Sequence, residues 1–104
     1  MRDGDGFVLN GEKWYVTVGD VADYQIVVAD VPGEGLVSLL VDRDQDGVEE
    51  HRVPRYMHHF VYEHPIFRYH DVRVGPEAVL GQVGEGYTLT KEWFMEERLM
   101  IAAR

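Results

Sequence analysis

Short runs of alternating or continuous apolar residues, separated by glycine-rich and aspartate-rich turns, occupy the chain as far as residue 75. Runs of this length between turn signals are typical of β-strands. No helix-length crossover separates the early strands, so the pattern predicts a mainly β fold, an antiparallel barrel or sandwich, instead of a parallel α/β sheet. The predicted strands are residues 7–9, 13–18, 24–29, 36–41, 48–53 and 67–74.

The stretch NGEKWYVT, residues 10–17, begins with a strong signal for a two-residue hairpin turn. Asn10 and Gly11 both tolerate the positive φ that such turns need, so they are predicted to join strand 7–9 to strand 13–18. Successive side chains of a strand point to opposite faces. The predicted core face carries Trp14, Val16 and Val18, and the opposite face carries Lys13, Tyr15 and Thr17.

The pattern changes after Gly75, where helical signals replace the strands. Residues 76–81 are predicted to form one helical turn closed by glycine. Residues 87–104 are rich in helix formers and lack proline and glycine, which predicts a helix. Its last turns carry apolar residues around the whole circumference and no capping residue follows, so we expect a chain interrupted within a helix, with a helical region after it.

Composition limits the functions that this pattern can serve. The 104 residues, 45% of them hydrophobic, suit one domain, and the absence of cysteine excludes disulfides, thiolate metal sites and a cysteine nucleophile. That absence also fits a cytoplasmic location. Nineteen acidic against ten basic side chains give a net charge of −9, which opposes binding to nucleic acid or anionic membranes. We expect no membrane span and no targeting segment.

Three stretches, taken in order, resemble one family. They are GDGFVLNGEKWYVTVGDVADYQIVVADV, GLVSLLVDRDQDGVE and FRYHDVRVGPEAVLGQVGEGYTLTKEWFMEERLMIAAR, and they are similar to the middle domain of acyl-CoA dehydrogenases. The resemblance continues into the first helix of the C-terminal domain of that family. It implies a middle β-domain over residues 1–82 that lacks its first strand, followed by the start of the helical domain over residues 83–104.

The resemblance implies FAD as cofactor and gives a role to the face opposite the predicted core. In this family an aromatic residue lies beside the flavin ring, and a threonine two places later hydrogen-bonds near its redox-active edge. The matching residues are Tyr15 and Thr17. Many members have tryptophan in place of Tyr15, and a small polar residue or glycine in place of Val18. An ordinary solvent-facing strand edge is the alternative interpretation of both residues.

The resemblance also implies a substrate-binding role for Arg98, which lies in a short polar motif of the first C-terminal helix. Relatives often have an acidic residue in place of Met95, so the local motif differs here. The alternative is that Arg98 is solvated or forms an ion pair with a neighbouring acidic side chain.

By resemblance, the parent enzyme oxidises a saturated acyl-CoA thioester to the trans-2-enoyl-CoA: a carboxylate removes an α-proton and a β-hydride passes to FAD. Electron-transferring flavoprotein usually reoxidises the flavin, and the enzyme is expected to be a homodimer or homotetramer. The catalytic base of this family lies in the later helices, beyond Arg104. We therefore predict no catalytic residue within the chain, which would contribute one wall of the flavin and substrate site.

Two patterns resemble metal sites. Residues 42–47, DRDQDG, match the start of a calcium loop, but Val53 stands where the bidentate glutamate is required, and the flanks are predicted strands. A simple acidic hairpin turn is the expected structure. His58, His59, Glu63 and His64 match no metal-binding spacing. We predict no metal site, and we expect these histidines to be partly exposed hydrogen-bonding residues.

Alternatives to the acyl-CoA dehydrogenase interpretation remain open at this point. The same scaffold would suit a stand-alone β-barrel binding module, or a related flavin oxidase or monooxygenase. A small calcium-binding β-protein is the third possibility.

Overall fold

The computed structural model describes residues 1–55, 57 and 63–103. Within these residues, seven strands form two antiparallel sheets and one α-helix follows them. They are β1 (Arg2–Asp3), β2 (Gly6–Lys13), β3 (Tyr24–Val31), β4 (Gly35–Asp42), β5 (Val48–Arg52), β6 (Ile66–Val74), β7 (Val79–Gly84) and α1 (Gly86–Ala102). The strand order is β1-β2-β6-β5 in the first sheet and β3-β4-β7 in the second. The predicted antiparallel β fold with a C-terminal helix is confirmed, as an open sandwich of two sheets that do not close into a barrel.

The core lies between the two sheets, where alternate side chains of their strands meet. Tyr69 is buried in this core, and burial raises the pKa of its phenol to about 12. The hydroxyl therefore stays protonated and donates a hydrogen bond to Gln25 Oε1. The other apolar core residues are Phe7, Leu9, Val27, Val31, Val37, Leu39, Val41, Phe67, Val72 and Val74.

The predicted hairpin turn at Asn10-Gly11 is wrong, because β2 runs through both residues. The register of β2 with β6 shifts between Leu9 and Gly11. At this shift, Asn10 Nδ2 donates to Asp71 Oδ1 over 2.9 Å, and the Asp71 backbone N–H donates to Asn10 Oδ1 over 2.9 Å. The first hairpin turn instead lies at Gly4 and Asp5, between β1 and β2, where Gly4 has φ 60°.

The acidic segment 43–47 is a connection between sheets instead of the predicted hairpin turn. It leads from β4 in the second sheet to β5 in the first. The Asp44 backbone N–H donates to Asp42 Oδ1 over 2.9 Å, which closes a turn at its start. At its end, the Gly47 carbonyl accepts the His70 backbone N–H over 2.9 Å, so the turn is tied to β6.

The predicted helical turn at 76–81 is only partly correct. A 3₁₀ turn spans Pro76–Ala78, and the chain then enters β7. Val79 and Leu80 pair with Leu39 and Ser38 of β4, so pairing with a sheet edge overrides the short helical pattern.

Helix α1 confirms the predicted C-terminal helix and is joined to the second sheet through Ser38. Ser38 is buried, and its hydroxyl donates to the Gly86 carbonyl over 3.0 Å. Beyond this junction α1 carries many exposed large apolar side chains, namely Tyr87, Leu89, Trp93, Phe94, Met95, Leu99, Met100 and Ile101. Among the described helices, none combines the length and the apolar character needed to span a membrane.

Candidate functional site

The segment after β2, residues 14–19, leaves the regular strand in an unusual conformation. β2 ends at Lys13, so the prediction of a strand over 13–18 is wrong beyond that residue. Tyr15 has φ 59° and Val18 has φ 57°. Both angles lie in the left-handed region, which residues other than glycine and asparagine rarely adopt. Backbone strain of this kind concentrates at functional sites.

Two backbone hydrogen bonds hold this segment against residues 63–65. Val16 N–H donates to the Pro65 carbonyl over 3.1 Å, and Val18 N–H donates to the Glu63 carbonyl over 3.2 Å. Proline has no N–H to return a bond to Val16. The Val16 carbonyl accepts the Gly19 N–H over 3.0 Å instead, which turns the chain and ends the strand-like pairing.

The predicted division of faces holds for Val16 and fails for Trp14. Val16 is partly buried and packs against the core. Tyr15 is 60% exposed and Thr17 is also exposed, as expected for the face opposite the core. The prediction of Trp14 in the core is wrong, because its side chain is 51% exposed and its ring meets that of Tyr15 edge to face, 6.1 Å between centroids.

A polar network that runs across the first sheet holds the Trp14 indole at the surface. Its Nε1–H donates to Glu12 Oε1, and Arg68 Nε donates to Glu12 Oε2 over 2.7 Å. The hydrogen bond from Arg68, followed by the one from Trp14, lowers the pKa of Glu12. The Arg52 guanidinium lies 5.6 Å from the centroid of the Trp14 ring, a cation–π distance. The sequence does not reveal this network because Arg52 and Arg68 lie on β5 and β6, far along the chain from Glu12 and Trp14.

Thr17 and His64 face each other across the short backbone pairing. Thr17 Oγ1 lies 3.1 Å from His64 Nδ1, within hydrogen-bond distance. His64 is half-buried. This confirms the expectation of a partly exposed, hydrogen-bonding histidine at this position; His58 and His59 lie outside the described residues.

The exposed side chains of Tyr15 and Thr17 have the chemistry that contact with one side of a flavin would need. An exposed aromatic ring offers apolar area to a planar ring system, and an exposed hydroxyl can donate a hydrogen bond to an atom at its edge. Both side chains are anchored by a backbone that Val16 and the bonds to residues 63–65 fix in place. Both side chains are exposed two positions apart, and their cofactor-binding role stays a prediction.

Arg98 lies in the second half of α1, with its side chain exposed. Its guanidinium forms no hydrogen bond or ion pair with another residue of the described ranges. The helix packs on β3, β4 and β7, whereas segment 14–19 is bonded to residues 63–65, which precede β6. The contacts of the described chain do not bring Arg98 to Thr17, and its substrate-binding role stays a prediction.

The acidic turn at 42–47 does not collect metal ligands. Asp42 Oδ1 accepts the Asp44 backbone N–H, while Arg43 projects its guanidinium to Glu50 Oε2 over 2.8 Å and to the Gly19 carbonyl over 3.1 Å. Across the part of the chain that the structure describes, no group of three histidine, aspartate or glutamate residues is placed to hold a metal ion.

Comparison with known proteins agrees with this fold. Residues 1–61 match the family model described as acyl-CoA dehydrogenase, middle domain, which is more than half of the chain. The chain belongs to the acyl-CoA dehydrogenase family. Among its curated relatives is the probable acyl-CoA dehydrogenase FadE10 of Mycobacterium tuberculosis, 30% identical over 108 residues. The match covers 99% of this chain and only 17% of FadE10.

Solved structures of the family superpose on most of this chain. A probable acyl-CoA dehydrogenase of Mycobacterium abscessus matches with a TM-score of 0.90 and 30% identity, over 97% of this chain and 28% of that one. An acyl-CoA dehydrogenase of Bacillus anthracis, solved in complex with FAD, matches with a TM-score of 0.77 and 31% identity, over 84% of this chain and 15% of that one. The chain thus corresponds to less than a third of either structure.

The left-handed backbone at Val18 gives a stability prediction. A β-branched residue at φ 57° is strained by about 1–2 kcal/mol, and asparagine tolerates this conformation. We expect Val18→Asn to raise the free energy of unfolding of the intact protein by about 1 kcal/mol, measured by urea denaturation. This would also explain the small polar residue or glycine that the family often places here.

Val21 provides the matched control for this substitution. It lies in the same turn, is exposed and has no positive φ. Val21→Asn should therefore leave the stability within about 0.5 kcal/mol of the wild type. An equal gain from both substitutions would show that the strain at Val18 is not the cause.

Proposed function

We propose that this chain is the flavin-facing β-domain of an FAD-dependent acyl-CoA dehydrogenase that converts an acyl-CoA thioester to its trans-2-enoyl form. The observation that carries the proposal is the strained segment 14–18, which presents the Tyr15 ring and the Thr17 hydroxyl on a backbone fixed by two hydrogen bonds. Membership of the family and the FAD complex of the Bacillus anthracis relative support it.

In this proposal the two side chains have different tasks. When bound, FAD supplies the acceptor for the two electrons that leave the substrate. Tyr15 covers one part of the ring system and excludes water from it. Thr17 donates its hydroxyl proton to a ring atom whose basicity rises on reduction, so the hydrogen bond strengthens as the reaction proceeds.

The remaining parts of the site are proposed to lie outside the chain. The relatives are several times longer, and α1 exposes a largely apolar surface that suits packing against further helices. We propose that residues 83–104 begin the helical domain that supplies the catalytic base. The strand-to-helix change between Gly84 and Gly86 lies close to this boundary. Arg98 would contact the acyl-CoA substrate from that helix.

The cellular setting is also part of the proposal. We propose a cytoplasmic homo-oligomeric enzyme whose flavin is reoxidised by electron-transferring flavoprotein. The net charge of −9 and the absence of cysteine support a setting without nucleic acid and with a reducing environment.

A binding titration tests the proposed flavin surface. The intact protein, stripped of its flavin, is titrated with FAD while the absorbance and fluorescence of the flavin are followed. We expect Tyr15→Ala to weaken FAD binding about fivefold, since an aromatic contact contributes about 0.5–1.5 kcal/mol beyond its buried area.

Tyr24 is the matched control, because it is 60% exposed like Tyr15 but lies at the start of β3. Tyr24→Ala should bind FAD with the affinity of the wild type. Equal affinities for all three proteins would reject Tyr15 as a flavin contact.

A further inference from the structure

His64 contacts the hydroxyl on which the proposed function depends. Its Nδ1 atom lies 3.1 Å from Thr17 Oγ1. The backbone bonds on either side, from Val16 to Pro65 and from Val18 to Glu63, place residue 17 directly opposite residue 64. The contact is therefore built into the backbone pairing and does not depend on a long, flexible side chain.

A threonine hydroxyl has one proton to donate and two lone pairs that accept. If His64 Nδ1 were unprotonated, Thr17 would donate its only proton to the imidazole and would have none for a ligand. If Nδ1 carries a proton, Thr17 accepts from His64 and its own proton is free to point outward. The protonation of Nδ1 thus decides whether Thr17 can act as a donor.

We infer that His64 is a positioning residue whose Nδ1–H donates to Thr17 Oγ1, so that the Thr17 proton is directed to the flavin. This inference rests on the proposed function. The half-buried position of His64 favours a fixed ring over a freely rotating one. The exposed position of Thr17 leaves its outward side open to a ligand.

The first test reads the imidazole directly in the intact protein without flavin. Nitrogen-15 NMR of the histidine side chains, assigned by comparison with His64→Gln, reports which ring nitrogen of His64 carries hydrogen. We expect a protonated Nδ1. A neutral ring with hydrogen on Nε2 alone would overturn the inference, whatever the activity of the enzyme.

The second test uses substitutions that move the donor. An asparagine amide can place its N–H near the position of Nδ1, whereas a glutamine amide reaches the position of Nε2. We expect His64→Gln to weaken FAD binding about fivefold, which is within the range for one hydrogen bond, and His64→Asn to bind within twofold of the wild type. Thr17→Val should weaken binding to the same extent as His64→Gln, and the double variant should be no weaker than either.

The outcomes separate this inference from the proposed function. Weakening by Thr17→Val but by neither His64 variant would overturn the positioning role and leave the flavin contact of Thr17 intact. Wild-type affinity in Thr17→Val would reject that flavin contact and the inference together. Equal weakening by His64→Asn and His64→Gln, additive with Thr17→Val, would mean that His64 only supports the local fold, and would also overturn the inference.

Discussion

Replacement of Gly47 by alanine is expected to lower the free energy of unfolding by about 2–4 kcal/mol. Gly47 has φ +90°, which disfavours any residue with a Cβ atom. An added Cβ would also overlap the His70 carbonyl oxygen and would lie 3.1 Å from Val72 Cγ2. The first effect costs about 1 kcal/mol, and the overlap with backbone adds about 1–3 kcal/mol.

Comparison with Gly33 separates the steric overlap at Gly47 from the cost of the positive φ. It has φ +82°, nearly the same as Gly47, but a Cβ at Gly33 would meet no atom within 4 Å. Gly33→Ala should therefore cost only about 1 kcal/mol in urea denaturation of the intact protein. If the two variants lost the same stability, the close approach of Gly47 to His70 would not be the reason that this position requires glycine. The larger loss would show that the glycine of the DRDQDG turn is needed for the close approach of this turn to β6.

Thr17→Val is expected to slow reduction of the bound flavin by the acyl-CoA substrate at least about tenfold. Valine keeps the shape of threonine and removes the hydroxyl, so only the proposed hydrogen bond to the flavin edge and the contact with His64 are lost. A hydrogen bond that strengthens on charge development contributes about 1.5–3 kcal/mol, and 1.4 kcal/mol corresponds to a factor of ten in rate. Stopped-flow absorbance under anaerobic conditions measures the rate.

Thr88 allows the same substitution at an exposed position on α1. In the Thr88→Val variant, the substrate should reduce the flavin at the wild-type rate. Both variants should have urea midpoints of unfolding close to that of the wild type. Unchanged reduction in Thr17→Val would reject the role of this hydroxyl. A large loss of stability in Thr17→Val would assign the slow rate to unfolding.

Much of the fold could be predicted from the sequence because apolar alternation along a strand is a local signal. Strand β4 shows this clearly, since Val37, Leu39 and Val41 alternate along it and all face the core. The C-terminal helix was also predictable from its composition. The two-residue strand β1 was missed because two residues carry no period.

The turns were harder to predict because tertiary contacts decide them. Asn10-Gly11 has the composition of a hairpin turn, yet the Asn10 side chain bonds to Asp71, 61 positions later. The turn at 42–47 looked like a hairpin because its flanks are strands, but those strands belong to different sheets. The residues next to each turn in the sequence do not indicate which distant residue or which sheet the turn will contact.

The candidate site was predictable in part. Strand alternation predicted that Tyr15 and Thr17 face away from the core, and the structure shows both side chains exposed. Their cofactor-binding role came from the resemblance alone. Trp14 was assigned to the core because the strand was expected to continue beyond Lys13. The pairing of His64 with Thr17 depends on a contact 47 positions apart and could not be found from spacing.

The most direct test of the proposed function is anaerobic addition of a panel of acyl-CoA thioesters to the intact protein, followed by its visible spectrum. We expect the purified protein to show flavin absorbance, and we expect these bands to bleach with acyl-CoA thioesters of a limited range of chain lengths. That result would establish the dehydrogenase and define its substrate class. A colourless protein that cannot be reconstituted with FAD, or a flavin that no acyl-CoA thioester reduces, would contradict the proposed function.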